Sequence, residues 1–132
     1  MDTSVLVAGI AGLKQSRHAS NIASAQLLAT WVERRHFVWL YSDDVFDEYQ
    51  GVLSTKRVRR NLIGRIINML RRKGERVTVG VPLNLSPDPD DNHICDCAEY
   101  GEADFIITLN PDDFPQDRLH ARVVSPDDHI LT

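Results

Sequence analysis

Residues 87–110 read PDPDDNHICDCAEYGEADFIITLN, with Asp88, Asp90 and Asp91 gathered ahead of a short apolar-faced segment and a run as apolar as FIITL. Carboxylates so close in sequence repel one another, so gathering them is costly unless they are protonated or neutralised by a cation. Two further acids stand in comparable places: Asp2 opens the chain, and Glu48 lies within SDDVFDEYQGVLS. In sheets of parallel strands alternating with helices, sites collect just beyond the carboxyl ends of the strands. Asp91 starts the helix before FIITL, and Glu48 lies one to two turns into the helix after HFVWLYS. Asn110, Pro111, Asp112 and Asp113 follow the FIITL strand. If these ends converge, Asp2, Glu48 and Asp91 form an oxygen-rich cluster suited to a hard divalent ion, Mg²⁺ or Mn²⁺. Such an ion lowers the pKa of a bound water and balances charge at a scissile phosphate, the requirements of phosphodiester hydrolysis.

Each acid also has a plainer reading. Asp91 can cap its helix, Glu48 can be a solvated helix residue, and Asp2 can be an unfixed terminal residue. Asp112 and Asp113 suit a turn or cap better than a ligand set. The stretch HICDC suggests zinc through His93, Cys95 and Cys97, but alternate residues on a helix point apart and do not share one ion.

The elements that must position these acids alternate between helix and short apolar strand. Residues 3–10, TSVLVAGI, are strand-like in composition, with Gly9 and Gly12 as punctuation. Residues 20–35 show a broad apolar helical stripe with Ser20 as a cap candidate, and Trp31 and Trp39 read as core. Residues 36–42, HFVWLYS, form a buried strand. Ser42 or Asp43 then caps a helix with Val45, Tyr49 and Val52 on one side. Residues 59–74 form an amphipathic helix, with Leu62, Ile63, Ile66, Ile67 and Leu70 inward and Gly74 as its stop. Residues 77–83 suit a strand or edge segment. Residues 91–101 are a short helix with Ile94, Cys97 and Ala98 inward, residues 104–109 a central parallel strand covered on both faces, and residues 122–125 a last strand. The class is α/β with a mainly parallel sheet.

The chain has 132 residues and a net charge of −4, which suits one domain over residues 1–132. No apolar run approaches the roughly 20 residues of a membrane span, and the N-terminus lacks the pattern of a signal peptide. Cys95 and Cys97, two positions apart on a helix, do not bridge, which favours a reducing, cytoplasmic setting. The net charge hides an asymmetry. From Lys56 to Arg76 run Lys56, Arg57, Arg59, Arg60, Arg65, Arg71, Arg72, Lys73 and Arg76 against Glu75 alone, whereas acids dominate from Asp88 to Asp128. By base rate a basic helix is a solvated face, but one with so few compensating acids suits a polyanion or an acidic partner.

Four stretches taken together carry a resemblance: DTSVLVAGI, YSDDVFDEYQGVL, DPDDNHICDCAEYGEADFIITLNPDDFP and VVSPDDHIL. In order and spacing they resemble PIN-domain ribonucleases, specifically the VapC-like toxins of bacterial toxin–antitoxin pairs. The resemblance implies a three-layer α/β/α fold and metal-dependent RNA cleavage leaving 5′-phosphate and 3′-hydroxyl ends. It places the metal-holding acids on Asp2, Glu48 and Asp91, with Ser4, Asp88, Asn110 and Asp112 in supporting positions, Asn110 or Asp112 serving any second ion. Lys56, Arg57, Arg59, Arg60 and Arg65 would track the RNA backbone. The implied partners are RNA, a cognate antitoxin and a second copy in a homodimer. The sequence departs from the pattern in three places. Only Met1 precedes Asp2, so the N-terminal strand reads as truncated. Asn110 stands where many relatives have aspartate, and Ser4 where asparagine is common. These departures motivate a second reading, a catalytically silent PIN-fold module that binds RNA or protein. A phosphatase with Asp2 as nucleophile ranks lower, because Asp2-Thr3-Ser4 is not the Asp-x-Asp such enzymes need.

Overall fold

The structure, a computed structural model, describes residues 1–13, 19–34, 37–56 and 58–128. Helix α1 (Thr3–Leu13) packs on α2 (Ala19–Arg34). Strand β1 (Leu40–Tyr41) leads into α3 (Asp43–Thr55), and α4 (Arg60–Lys73) leads into β2 (Glu75–Arg76). After an irregular stretch come α5 (Asn92–Tyr100), β3 (Phe105–Ile107) and β4 (Arg122–Val124). β1 pairs with β2 and β3 with β4, both in parallel. The α/β class and the parallel strands agree with the sequence, but the sheet is present as two separate pairs.

The first correction concerns residues 3–10, which are helical rather than extended. An apolar run without alternation fits a buried helix as well as a buried strand. Here only Asp2 reaches the strand, its N–H donating to Ile107 O at 2.8 Å, and the Val5 N–H to Asp2 O bond begins the helical turn. Val5, Leu6, Ala8 and Ile10 are buried. Gly9 lets α2 approach closely, since a Cβ there would lie 2.3 Å from Leu28 Cδ1. In α2, which begins one residue before Ser20, the apolar stripe is carried by Leu27, Leu28 and Trp31, all buried.

Ser42 caps α3 as its position predicts, its Oγ accepting the Val45 N–H at 3.3 Å. Ser42→Ala should lower stability by about 1 kcal/mol, read as a lower denaturant midpoint with unchanged slope. In α4, Ile67 and Leu70 are buried, while Leu62, Ile63 and Ile66 are half-buried against the same core. Residues 77–83 are not a strand. β2 ends at Arg76, Val77 is buried, and Val81 lies exposed. The reason is the junction after α4. Glu75 N–H donates to Trp39 O and Val77 N–H to Tyr41 O, so pairing begins directly at the helix end and β1 is too short to continue it. β3 is not a central strand: it pairs with β4 on one edge, and on the other, among the described residues, only the Asp2 N–H bonds it.

The core joins Trp31, Trp39, Tyr49, Leu53, Leu70, Ile94 and Ile106. Trp39 is its centre, edge-on to Trp31 at 4.8 Å and to Tyr49 at 5.9 Å between ring centroids. No helix of the described residues is long and apolar enough to cross a membrane.

Candidate active site

The start of the chain is fixed from three sides. Besides the Asp2 N–H bond to β3, the Tyr49 hydroxyl donates to Met1 O. The Asp2 carboxylate accepts from Ser4 Oγ at 2.9 Å and from Thr108 Oγ1 at 2.7 Å, both on Oδ2. Ser4 Oγ in turn accepts the Leu109 N–H at 3.3 Å, and Thr108 Oγ1 accepts the Asn110 N–H at 3.1 Å. α1 and the end of β3 are therefore tied together through one carboxylate. The reading of Asp2 as an unfixed terminal residue does not hold.

Glu48, on α3, is also held. Its Oε2 accepts from Thr3 Oγ1 and lies 2.7 Å from His93 Nε2 on α5. Only about a third of its side chain is exposed, which is not the state of a freely solvated helix residue.

Asp91 occupies the position preceding α5, yet its carboxylate makes no capping bond. Asp88 instead caps the preceding turn, its Oδ1 accepting the Asp90 N–H at 3.0 Å. Partial burial pushes the Asp91 carboxyl up to about 6, and the charges of Asp2, Asp88 and Asp113 push the same way, with His93 opposing. Asp91 thus stands partly buried among other acids with only His93 opposing them, and helix capping does not explain it.

Asn110 and Asp112 are exposed at the end of β3; Asn110 joins the network through its backbone N–H, and Asp112 lies in the turn Pro111–Asp113. Among the basic residues Lys56, Arg59, Arg60 and Arg65 are exposed, and Arg59 and Arg65 line a shallow hollow with Asn61 and Leu62. Arg57 lies outside the described residues. Arg76 is committed to Asp43 through two bonds of 2.9 and 2.7 Å, and Arg71 lies 5.0 Å from the Phe46 ring centroid. These two are less available to a ligand than the sequence suggests.

His93, Thr3 and Thr108 are site residues that the spacing of acids did not reveal. A threonine in an otherwise apolar strand is the available signal, because a buried hydroxyl needs a partner. Thr108 is fully buried and finds Asp2. His93 turns to Glu48, while Cys95 and Cys97 are buried free thiols. Burial pushes Cys95 up to about 12 and raises Cys97 as well, so both stay protonated.

Among the described residues, no three His, Cys, Asp or Glu side chains stand close enough to share one ion. By donor chemistry the acids nevertheless suit a hard cation. Asp2, Glu48 and Asp91 offer only oxygen, and the charges of Asp2, Asp88 and Asp113 that add to the effect of burial on Asp91 are ones a cation would offset.

The chain is α/β, with Asp2 at its start bonded to Thr108 just beyond β3, Glu48 on α3 and Asp91 just before α5. The PIN domain family model matches residues 1–112, and the chain belongs to the PIN-domain family. Members of this family are generally metal-dependent nucleases. No curated protein and no solved structure matches the chain.

Proposed function

We propose that this PIN domain is an endoribonuclease dependent on Mg²⁺ or Mn²⁺, acting as the toxin of a toxin–antitoxin pair. The observation that carries the reading is the Asp91 carboxylate, uncapped, raised first by partial burial and further by the acids Asp2, Asp88 and Asp113. Asp2, Glu48 and Asp91 would hold the ion, which when bound supplies positive charge at the scissile phosphate and acidifies water there. The chain's own groups prepare that site. Ser4 and Thr108 orient Asp2, Thr3 and His93 orient Glu48, and Asp88 adds negative field beside Asp91. Asn110 and Asp112, exposed beyond β3, would meet an RNA group or a second ion. The reading takes the protein to be a single cytoplasmic domain, with a homodimer as its assembly and an acidic antitoxin segment competing for the basic face.

The test is incubation with RNA and Mn²⁺, with end-group analysis of the fragments. Cleavage to 5′-phosphate and 3′-hydroxyl ends that stops on chelation is expected; a clean preparation that cuts no RNA under varied conditions overturns the reading. The exposed cations give a separate prediction. Replacing Arg59, Arg60 and Arg65 together by alanine should weaken RNA binding across sequences. It should also flatten the log K against log salt slope by about 2, at roughly 0.7 for each single-strand phosphate that is no longer neutralised. An unchanged slope by filter binding would remove that face from the RNA path.

A second reading is favoured by the lack of three convergent donors among the described residues. In it the chain is a silent PIN-fold module that binds RNA or protein. It predicts binding indifferent to Mn²⁺ and to Asp91→Asn.

A further inference from the structure

An ionised carboxylate only accepts hydrogen bonds, through two oxygens with two lone pairs each. In Glu48 one oxygen takes both bonds. Oε2 accepts from Thr3 Oγ1 and from His93 Nε2 at 2.7 Å, which fills its lone pairs, while Oε1 has no hydrogen bond among the described residues. Asp2 repeats the pattern. Its Oδ2 accepts from Ser4 Oγ at 2.9 Å and from Thr108 Oγ1 at 2.7 Å, and its Oδ1 has no hydrogen bond among the described residues. The donors are themselves committed. Ser4 Oγ accepts the Leu109 N–H and Thr108 Oγ1 the Asn110 N–H, which leaves each hydroxyl proton for Asp2. Thr3 and Thr108 are buried. His93 donates through Nε2, because the carboxylate cannot, and it reaches Glu48 of α3 from the first turn of α5. Two acids from different elements thus each keep one oxygen saturated and one bare.

We propose that these donors restrict Glu48 and Asp2 to one oxygen each toward a cation, and that His93 and Thr3, acting through Glu48, thereby select a small octahedral ion over Ca²⁺. The inference rests on the cation site proposed above and adds what that site excludes. Mg²⁺ takes an octahedral shell at about 2.0–2.1 Å and keeps several waters, so one oxygen from each acid meets its need. Mn²⁺ suits the same octahedral oxygen set. Ca²⁺ takes roughly six to eight oxygens at about 2.3–2.6 Å and fills that larger shell with carboxylates that give both oxygens. Here the second oxygen of each acid is withheld, and a cation reaches it only after a hydrogen bond to a fixed donor is broken. His93 and Thr3 are positioning residues in this account, since each acts on the ion through Glu48.

The experiment is calorimetric titration of Mn²⁺, Mg²⁺ and Ca²⁺ into the wild type, His93→Leu, His93→Gln, Thr3→Val and Thr3→Ser, with metal-free thermal unfolding of each. The wild type should bind Mn²⁺ and Mg²⁺ more tightly than Ca²⁺. His93→Leu and Thr3→Val each free a lone pair of Glu48 Oε2. Each should narrow the ratio of Mn²⁺ to Ca²⁺ affinity by about tenfold, the lower end of the range for removing a partner behind a metal ligand. His93→Gln and Thr3→Ser keep a donor and should keep the wild-type ratio. A role confined to joining α3 to α5 would weaken all three ions alike, and an unchanged ratio in His93→Leu and Thr3→Val overturns the proposal. Thr3→Val, which exchanges one hydroxyl for a methyl group, decides the comparison if His93→Leu lowers the unfolding midpoint. A wild type that prefers Ca²⁺ overturns the selection and leaves the cation site standing. A wild type that binds none of the ions overturns both the selection and the site on which it rests.

Discussion

Asp91→Asn should cut RNA cleavage by about 10²–10⁴-fold, the range for losing one positioned catalytic group, while making the metal-free protein more stable at pH 7. The two effects have one origin. The Asp91 carboxyl titrates at about 6 in the fold against an ordinary 3.8, with burial as the main cause and Asp2 the first of the charges that add to it. The folded state therefore binds this proton more tightly than the unfolded chain does. Its favourable contribution is complete below about pH 4, declines as pH rises to about 6, and above that the ionised group is a net cost. Asparagine removes the charge but keeps the shape. The gain at pH 7 should be about 1 kcal/mol once solvent screening of a partly exposed group is allowed for. Denaturant midpoints in the presence of a chelator, at pH 4.5 and pH 7 for both proteins, check it: the difference should open with rising pH. A variant that is less stable at pH 7 and still cuts RNA would make Asp91 a structural residue.

The second large effect is on the support of the site. Trp39→Ala should cost about 3–5 kcal/mol, the usual range for truncating a buried aromatic, and lower the unfolding midpoint by roughly 10 °C. Trp39 is 2 % exposed and joins Trp31 to Tyr49. Its Nε1 donates to the Tyr49 hydroxyl at 3.4 Å, and that hydroxyl donates to Met1 O. Loss of the ring therefore loosens the anchor that holds Asp2. Tyr49→Phe separates the two roles, since it keeps the ring and removes only the hydroxyl, with its bonds to Met1 O and Trp39 Nε1. It should cost about 1–2 kcal/mol and reduce activity more than that loss of stability explains. Equal midpoints for wild type and Trp39→Ala would show that the core is not organised around this ring.

The legible parts of the molecule were those with a local physical signature. The capping Ser42 and the amphipathic α4 with its stop at Gly74 follow from side-chain chemistry within one or two turns. The acids were legible because like charges so close in sequence need a reason, and the structure fixes Asp2 and Glu48 by hydrogen bonds. Residues 3–10 were not legible, since an apolar run has no period to separate helix from strand. Their helical state follows from the close approach of α2 over Gly9, which is a tertiary fact. His93 was hidden for a similar reason. Its partner lies 45 positions away, and only the packing of α3 on α5 brings the two together. The commitment of Arg76 to Asp43 across 33 positions was equally out of reach.

The central claim, that the acids around Asp91 hold a divalent cation, is tested most directly by calorimetric titration of Mn²⁺ into the wild-type protein and into Asp91→Asn. Saturable binding to the wild type that is lost in the variant is the predicted result. No binding to either, or equal binding to both, would contradict the claim and give the lead to the silent RNA- or protein-binding module.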